Sequence, residues 1–324
     1  MIRRSVLLGI ALLAFTQRAP APLIYTPGEG WHYEAVGEEG SWTRARPKDQ
    51  LEVAQQAFQK RDFGTASKAA KRTVSRWPYS DYAPQAQYLF ARCYEENGKD
   101  EKAFKAYQKL LEHYPKIDNY NEIIQRQFII ANRFLAGQWF KLWDFIPVFP
   151  SMDRTIRMYE QIIKNGLYSE VAPEAQMNIG HAYELKFVKD YPSAAKAYER
   201  AADRYSDRKT GADALFKVGL AYNRQAKTAE YDQSVASHAI SVFTDFMTLH
   251  PDDKRAADAQ KIIASLRTEQ ARGSYEIARF YERKNRPQAA LIYYNEVLLQ
   301  DPGSTYADDA RRHIDTLKRE IATN

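Results

Sequence analysis

Cysteine is almost missing from the sequence, since Cys93 is the only one among 324 residues. A disulfide within the chain, and a redox or zinc site of the C-x-x-C type, each need more than one cysteine and are excluded. No lipobox cysteine follows the N-terminal apolar run, so we expect no lipid anchor attached through an N-terminal cysteine. Because Cys93 lies in a helical pattern beside Ala91 and Tyr94, we expect a small packed thiol rather than a reactive one.

Catalytic and metal-binding motifs are absent as well. The six histidines are scattered without H-E-x-x-H or comparable spacing, and no G-x-S-x-G, P-loop or dinucleotide fingerprint occurs. Acidic residues are numerous, but their spacing marks no pair as a catalytic dyad. We therefore predict a protein that is not an enzyme, with no catalytic residue, no cofactor and no metal site.

The sequence also lacks a long apolar run. Residues 6–15 are apolar and follow Arg3 and Arg4, and this run is too short to span a bilayer comfortably, as is typical of a secretory signal. An A-x-A-like step at 19–21 ends the segment, although Pro22 is unfavourable after a cleavage site. We predict that residues 1–21 are a signal peptide or a retained N-terminal anchor, and that the chain is exported to a bacterial periplasm.

No block of like charge stands out. The 47 basic and 41 acidic residues are interspersed and give a formal net charge of +6. This mixture is typical of solvated helix faces, and no recognised nucleic-acid motif accompanies it. We predict no nucleic-acid partner.

An arm precedes the helical part of the chain. Residues 22–46 are rich in glycine, proline and aromatic residues and have no helical period, so we expect them to be extended. Their aromatic residues Trp31, Tyr33 and Trp42 are expected to contact either the first repeat or a partner.

What the sequence does contain is a repeated pattern of small and aromatic residues. Small residues at positions 8 and 20 let two helices approach, aromatic residues at 11 and 24 fill the space around them, and a proline at 32 stops the second helix. Counted from Pro84 as position 1, these offsets and a glycine at 15 are occupied by Ala91, Tyr94, Gly98, Ala103, Tyr107 and Pro115. This is the pattern of a tetratricopeptide repeat.

The same offsets recur from one end of the chain to the other. Without any insertion they are kept by Ala54, Ala66 and Pro78 and by Ala278, Tyr281, Ala290, Tyr294 and Pro302. They are kept by Gly180, Tyr183, Ala194, Tyr198 and Ser206 with two extra residues between the helices, and by Gly219, Tyr222, Ala239, Phe243 and Pro251 with eight extra. A weaker unit with a long insertion is outlined by Ala131, Phe134 and Tyr159. We predict an all-α fold in which about six helix pairs form a tetratricopeptide-type solenoid over residues 47–324. Residues 306–321 are predicted to form a C-terminal capping helix with a polar outer face.

Two stretches resemble the BamD family of outer-membrane assembly factors. They are residues 240–251 (ISVFTDFMTLHP), and residues 274–281 (SYEIARFY) followed by 289–294 (AALIYY). The resemblance runs from about Asp49 to the end. It implies a periplasmic protein at the inner face of the outer membrane that associates with the β-barrel insertase and helps nascent outer-membrane proteins. The chain departs from the family in lacking the lipobox cysteine and in having six repeats where five are usual.

Candidate binding residues follow from the repeat register. The first helix of each pair usually lines a concave groove, and positions 5 and 9 of these helices provide an aromatic row beside polar groups that could hold an extended client segment. The candidates are Tyr88, Arg92, Phe128, Phe216, Tyr275 and Arg279. The alternative for each aromatic residue is that it only packs on its neighbours.

The insertion at about 137–151 is the most apolar stretch after the signal. Its aromatic residues are Trp139, Phe140, Trp143, Phe145 and Phe149, and Pro147 and Pro150 prevent a regular helix. Exposed, this cluster would mark a protein contact or a peripheral membrane contact that compensates for the missing lipid. Folded back, it would fill space inside the solenoid. Both outcomes are left open.

Two functions remain compatible with the sequence. The first is a non-enzymatic, BamD-like scaffold for the assembly and insertion of β-barrel outer-membrane proteins. The alternative is a general periplasmic adaptor or coordinator of envelope or cell-wall machinery. The partner distinguishes them, and the sequence does not predict an oligomeric state.

Overall fold

The computed structural model of the protein describes residues 23–26, 30–33, 42–142, 146–147, 150–185, 187–228 and 233–323. The predicted signal peptide lies outside these residues. Two short antiparallel hairpins occur within them, formed by β1 (Leu23–Thr26) with β2 (Gly30–Tyr33) and by β3 (Lys141–Leu142) with β4 (Ile146–Pro147). The remaining elements are α-helices, and the predicted all-α class is confirmed.

Helices follow one another in pairs, as predicted, and a last helix caps them. Their bounds are α1 Pro47–Gln59, α2 Phe63–Arg76, α3 Ala83–Glu96, α4 Asp100–His113, α5 Tyr120–Leu135, α6 Met152–Asn165, α7 Ala172–Glu184, α8 Tyr191–Arg204, α9 Lys209–Thr228, α10 Gln233–Leu249, α11 Ala256–Arg283, α12 Pro287–Gln300 and α13 Thr305–Thr323. The helices form two compact units, which contain residues 1–118 and 119–324.

Turn chemistry sets the helix boundaries. Proline occupies the first or second position of several helices, where its missing N–H is harmless. Asp62 and Asp190 accept hydrogen bonds from the backbone amides of Thr65 and Ser193 and so cap α2 and α8. Between the paired helices, position 15 has a positive φ angle in four repeats, at Arg61, Gly98, Lys189 and Asn285. The left-handed turn therefore recurs in these four repeats.

Small residues at positions 8 and 20 lie in the core, as the repeat pattern predicts. In repeat 2, Ala91 and Ala103 are both fully buried. Two repeats have glycine at position 8 because the aromatic ring at position 24 comes even closer. A Cβ atom on Gly180 would lie 2.4 Å from the ring of Tyr198, and one on Gly219 would lie 2.7 Å from the ring of Phe243.

Helix α11 is longer than the repeat pattern indicates. The repeat register accounts only for its C-terminal half, yet the helix runs through 28 residues without a break. Its first half packs on α10, where Ala259 and Ile263 join Phe243 and Phe246 in one buried cluster. Its second half packs on α12, and one helix thus serves two successive layers.

The last helix, α13, closes the core as predicted. Ala307, Ala310 and Ile314 on its inner face join the buried cluster that α11 and α12 build around Tyr294. Its outer face is charged and carries ion pairs such as Arg311 to Asp308. This polar outer face is what a terminal repeat needs in order to remain soluble.

Candidate functional surfaces

The predicted groove aromatics lie against the second helix of their own repeat. In four repeats the position-5 ring contacts the position-24 ring with centroids 5.6 to 6.1 Å apart, in the pairs Tyr88–Tyr107, Phe128–Tyr159, Phe216–Phe243 and Tyr275–Tyr294. Phe128 and Tyr275 are only 4% and 8% exposed, whereas Tyr88 and Phe216 are half-buried. All four therefore stabilise the repeat, and client binding by them stays a prediction.

The two arginines of the predicted groove differ in their surroundings. Arg92 lies over the ring of Phe58 at 5.5 Å and donates a hydrogen bond to Glu96 at 2.8 Å, so it is half-buried and held in place. Arg279 is exposed on α11.

Glutamates at position 12 were not singled out from the sequence. In three repeats the tyrosine hydroxyl at position 24 donates to this carboxylate, in the pairs Tyr107–Glu95, Tyr198–Glu184 and Tyr294–Glu282. Burial raises the pKa of Tyr198, and its acceptor Glu184 raises it further. Arg224 donates to Glu184 at 2.8 Å, and His313 lies 3.1 Å from Glu282. The recurrence of glutamate at position 12 is the signal that could have revealed this network.

The insertion after α5 divides its aromatic residues between core and surface. Phe140 is 1% exposed and stacks on Phe134 with centroids 4.1 Å apart, while Arg154 lies over its ring at 5.2 Å. Trp139 beside it is 49% exposed. Phe140 thus fills space, as one of the two open alternatives predicted, and Trp139 remains available for a contact. Trp143, Phe145 and Phe149 lie outside the described residues.

The exposed face of α12 is uncharged and includes two large apolar side chains, and it is called the apolar face of α12 below. Four side chains at helical spacing are exposed there, namely Gln288, Ile292, Asn295 and Leu299. Ile292 is 67% and Leu299 84% exposed, and none of the four is charged. Two large apolar side chains exposed on one uncharged helix face are a feature that a protein-binding surface can use.

The first unit contains a cleft of about 560 Å³ between α2, α3 and α4. Its floor is α3, which contributes Gln87, Phe90 and Tyr94, and its walls carry lysines of α2 and α4. Gln87 is buried and donates through Nε2 to the carbonyl oxygen of Ala106 at 2.9 Å. The side-chain amide of Gln87 therefore has a hydrogen-bond partner within its own repeat.

The second unit contains a smaller cleft of about 300 Å³ between α6, α7 and α8. Gln176 takes the place of Gln87 in its floor and donates to the carbonyl oxygen of Ala197 at 3.1 Å. Ile163, Leu167 and Ile179 provide an aliphatic lining. The two clefts are thus built on the same framework.

The part of the chain that the structure describes contains neither a metal-binding cluster nor a membrane-spanning helix. No group of three or more histidine, cysteine, aspartate or glutamate side chains there could hold a metal ion. In the same residues, no helix has both the length and the apolar character needed to cross a membrane.

Comparison with known families gives two matches. A family described as "Outer membrane lipoprotein" matches residues 151–310, which include α6 to α12, and a tetratricopeptide-repeat family matches residues 85–116. The protein is a BamD-like tetratricopeptide-repeat protein. The matched residues 151–310 include both stretches that resemble the BamD family in the sequence, residues 240–251 and 274–294. No curated protein sequence matches the BamD-like chain significantly.

Several solved structures are similar to the chain, with low sequence identity. The C-terminal part of a repeat-containing protein from Cytophaga hutchinsonii is 14% identical, covers 82% of this chain and 87% of its own, and has a TM-score of 0.35. A tetratricopeptide-repeat protein from Parabacteroides merdae is 12% identical, with coverage of 84% and 98% and a TM-score of 0.32. Pseudomonas aeruginosa PilF is 10% identical, with coverage of 82% and 96% and a TM-score of 0.29. Because these TM-scores are low, the fold is assigned from the helix pairs of the protein itself.

Proposed function

We propose that the protein is a non-enzymatic scaffold in the periplasm, at the inner face of the outer membrane, that assists the assembly and insertion of β-barrel outer-membrane proteins. The observation that carries the proposal is the match of residues 151–310 to the outer-membrane lipoprotein family. Its expected partners are a β-barrel insertase and nascent outer-membrane proteins. The general envelope adaptor is the alternative that the same experiment can detect.

The apolar face of α12 is proposed as the contact with the insertase. It lies inside the matched region, and replacing Ile292 and Leu299 by glutamate would place two charges where a partner buries apolar surface. Ser241 and Thr248 on α10 provide the control, because both are exposed and uncharged, have the same seven-residue spacing and lie inside the matched region. Ser241→Glu with Thr248→Glu adds the same charge outside the proposed contact.

The test is affinity purification of a C-terminally tagged chain after mild cross-linking in cells, followed by mass spectrometry. We expect the insertase at near-equal amounts with the parent chain and with the Ser241→Glu/Thr248→Glu control. With Ile292→Glu/Leu299→Glu its recovery should fall at least about tenfold. Absence of the insertase from the parent sample, with other envelope proteins enriched, would establish the general adaptor instead.

Membrane contact through the insertion is proposed for Trp139. A half-exposed tryptophan suits the interface between headgroups and acyl chains. Trp139→Ala should reduce co-sedimentation of the purified protein with phosphatidylglycerol vesicles, whereas replacement of the exposed Tyr168 by alanine should not. Equal sedimentation of both variants and the parent would rule out a membrane contact through Trp139.

A further inference from the structure

The cleft between α2 and α4 combines an aromatic floor with a basic rim. Lys71 on α2 and Lys102, Lys105 and Lys109 on α4 line it, together with His113. Among the described residues that line this cleft, none is acidic. One rim lysine is ion-paired, since Lys105 donates to Glu101 at 2.7 Å. A lining that contains four lysines and no carboxylate favours a negatively charged occupant.

The helix behind the α2 wall does not neutralise the rim. The α2 segment contains Lys68, Lys71, Arg72 and Arg76 and no acidic residue. Lys71 and Lys109, on opposite walls, are both exposed. Helix α4 carries Asp100, Glu101 and Glu112 beside its lysines, so the excess of positive charge comes mainly from the α2 wall.

The floor determines what kind of anion fits. Phe90 and Tyr94 are half-buried and meet edge to face with centroids 4.8 Å apart, and Lys102 lies over Tyr94 at 5.9 Å. The edge-to-face contact and Lys102 already cover part of these ring faces, which leaves less open face for the stacking of nucleic-acid bases. They can instead pack against aliphatic or aromatic side chains. A bilayer surface would meet the lysines of the rim but could not enter the concavity.

We propose that this cleft binds an acidic amphipathic segment of a partner protein, whose apolar side chains contact Phe90 and Tyr94 while its carboxylates pair with the lysines of the rim. The volume of about 560 Å³ is in the range of pockets that hold several side chains of one short segment. The cleft lies outside the region matched by the outer-membrane family, so its function does not depend on the function proposed above.

The test measures binding of two fluorescent synthetic peptides to the full chain at low salt. One peptide is an amphipathic helix with leucine and phenylalanine on one face and glutamate on the other, and the second replaces every glutamate by lysine. We expect the acidic peptide to bind and the basic one not to. Lys71→Glu with Lys109→Glu should weaken binding of the acidic peptide at least about tenfold, because two attractions become repulsions.

A matched control separates the cleft from the net charge. Lys68 and Lys116 are exposed in the same unit and do not line the cleft, and their replacement by glutamate changes the net charge by the same amount. This control should bind the acidic peptide within about twofold of the parent chain. An equal loss in both double variants would show non-specific attraction and overturn the proposal.

Two further probes test the other anions. Phosphatidylglycerol vesicles and a short oligothymidylate are added as competitors of the acidic peptide. If either competes strongly, and if its binding is lost with Lys71→Glu/Lys109→Glu but kept with the control, the cleft is a lipid or nucleic-acid site and the peptide proposal is wrong. Failure of the acidic peptide to bind the parent chain would overturn it equally.

Discussion

The two clefts show which parts of a repeat are fixed and which are free to vary. Each has the first helix of a repeat as its floor, with a buried glutamine, Gln87 or Gln176, whose amide reaches the second helix at the same place. The linings differ, since Phe90 and Tyr94 occupy one floor and Ile179 the other. The positions that hold a helix pair together are shared, and the positions that face outward give each cleft its chemistry.

Charge follows the same division. The first cleft is lined by four lysines and no carboxylate, whereas Glu160 lies beside Lys164, Arg200 and Arg204 in the second. These outward residues contribute little to the stability of the helix pair, because exposed ion pairs stabilise by about 1 kcal/mol or less. Selection for a partner can therefore change them without disturbing the repeat.

The largest effect expected at the shared framework concerns Cys93 in α3. Burial raises the pKa of its thiol to about 12, so thiol reagents should label the folded protein near pH 8 roughly a thousandfold more slowly than the protein in urea. The counterpart in α7 is the fully buried Ala182, and Ala182→Cys in a Cys93→Ala background should be protected similarly. Fast labelling of either site would show that the two floors are not equivalent.

The raised pKa also gives Cys93 a defined effect on stability. The unfolded thiol ionises near pH 8.5, whereas the folded one resists ionisation until about pH 12. Its contribution is therefore complete below about pH 8.5 and is lost as the pH rises towards 12. Chemical unfolding at several alkaline pH values should show a steeper loss for the parent chain than for Cys93→Ala.

A second difference between the floors lies at position 8. It is Ala91 in α3 but Gly180 in α7, where the ring of Tyr198 leaves no room for a Cβ atom. Gly180→Ala should lower the free energy of unfolding by about 2 kcal/mol, measured with urea, because overpacking outweighs the gain in helix propensity. Gly273→Ala is the control, since a Cβ there meets mainly the flexible amide of Gln233. Equal stability of both variants would contradict the close fit of Tyr198.

Much of this framework could be predicted from the sequence, because it repeats. Ala91, Ala103 and Tyr107 lie where their offsets predict, and the helix pairs and the cap follow from them. The long helix α11 was not predicted, since no small-aromatic register marks its first half. The residues around Ala271 favour a helix and include no proline that would end it, so α11 continues into the next repeat.

The surfaces were less predictable than the core for a physical reason. In the sequence of one repeat, an aromatic residue at position 5 could either line a groove or pair with a ring inside the repeat. The contact of Tyr275 with Tyr294 shows the second arrangement, and it is visible only in the structure. Each cleft is lined by side chains from three helices. In the sequence, neither Lys71 nor Lys109 by itself therefore indicates that a cleft is present. Exposure of Ile292 likewise depends on how α12 faces its neighbours, because that helix is apolar on several sides.

The shared glutamines offer a direct test of equivalence between the clefts. Both are nearly fully buried and donate to a helix carbonyl, so Gln87→Ala and Gln176→Ala should each lower the free energy of unfolding by about 1 kcal/mol or somewhat more. The control is Gln288→Ala, at an exposed position of α12, which should change stability little. A large cost at one glutamine alone would show that the framework is not common to both units.

The smallest expected effect is at position 15, where the two repeats behind the clefts use different residues for the same left-handed turn. Gly98 and Lys189 have φ angles of 65° and 48°. Lys189→Gly should therefore stabilise the second unit by about 0.5–1 kcal/mol, because glycine adopts this conformation without a steric cost. Gly98→Ala should destabilise the first unit by about 1 kcal/mol, although a Cβ atom there would meet no neighbour. Urea unfolding that showed the same sign for both changes would mean that contacts of the Lys189 side chain, rather than its backbone angle, determine the stability of this turn.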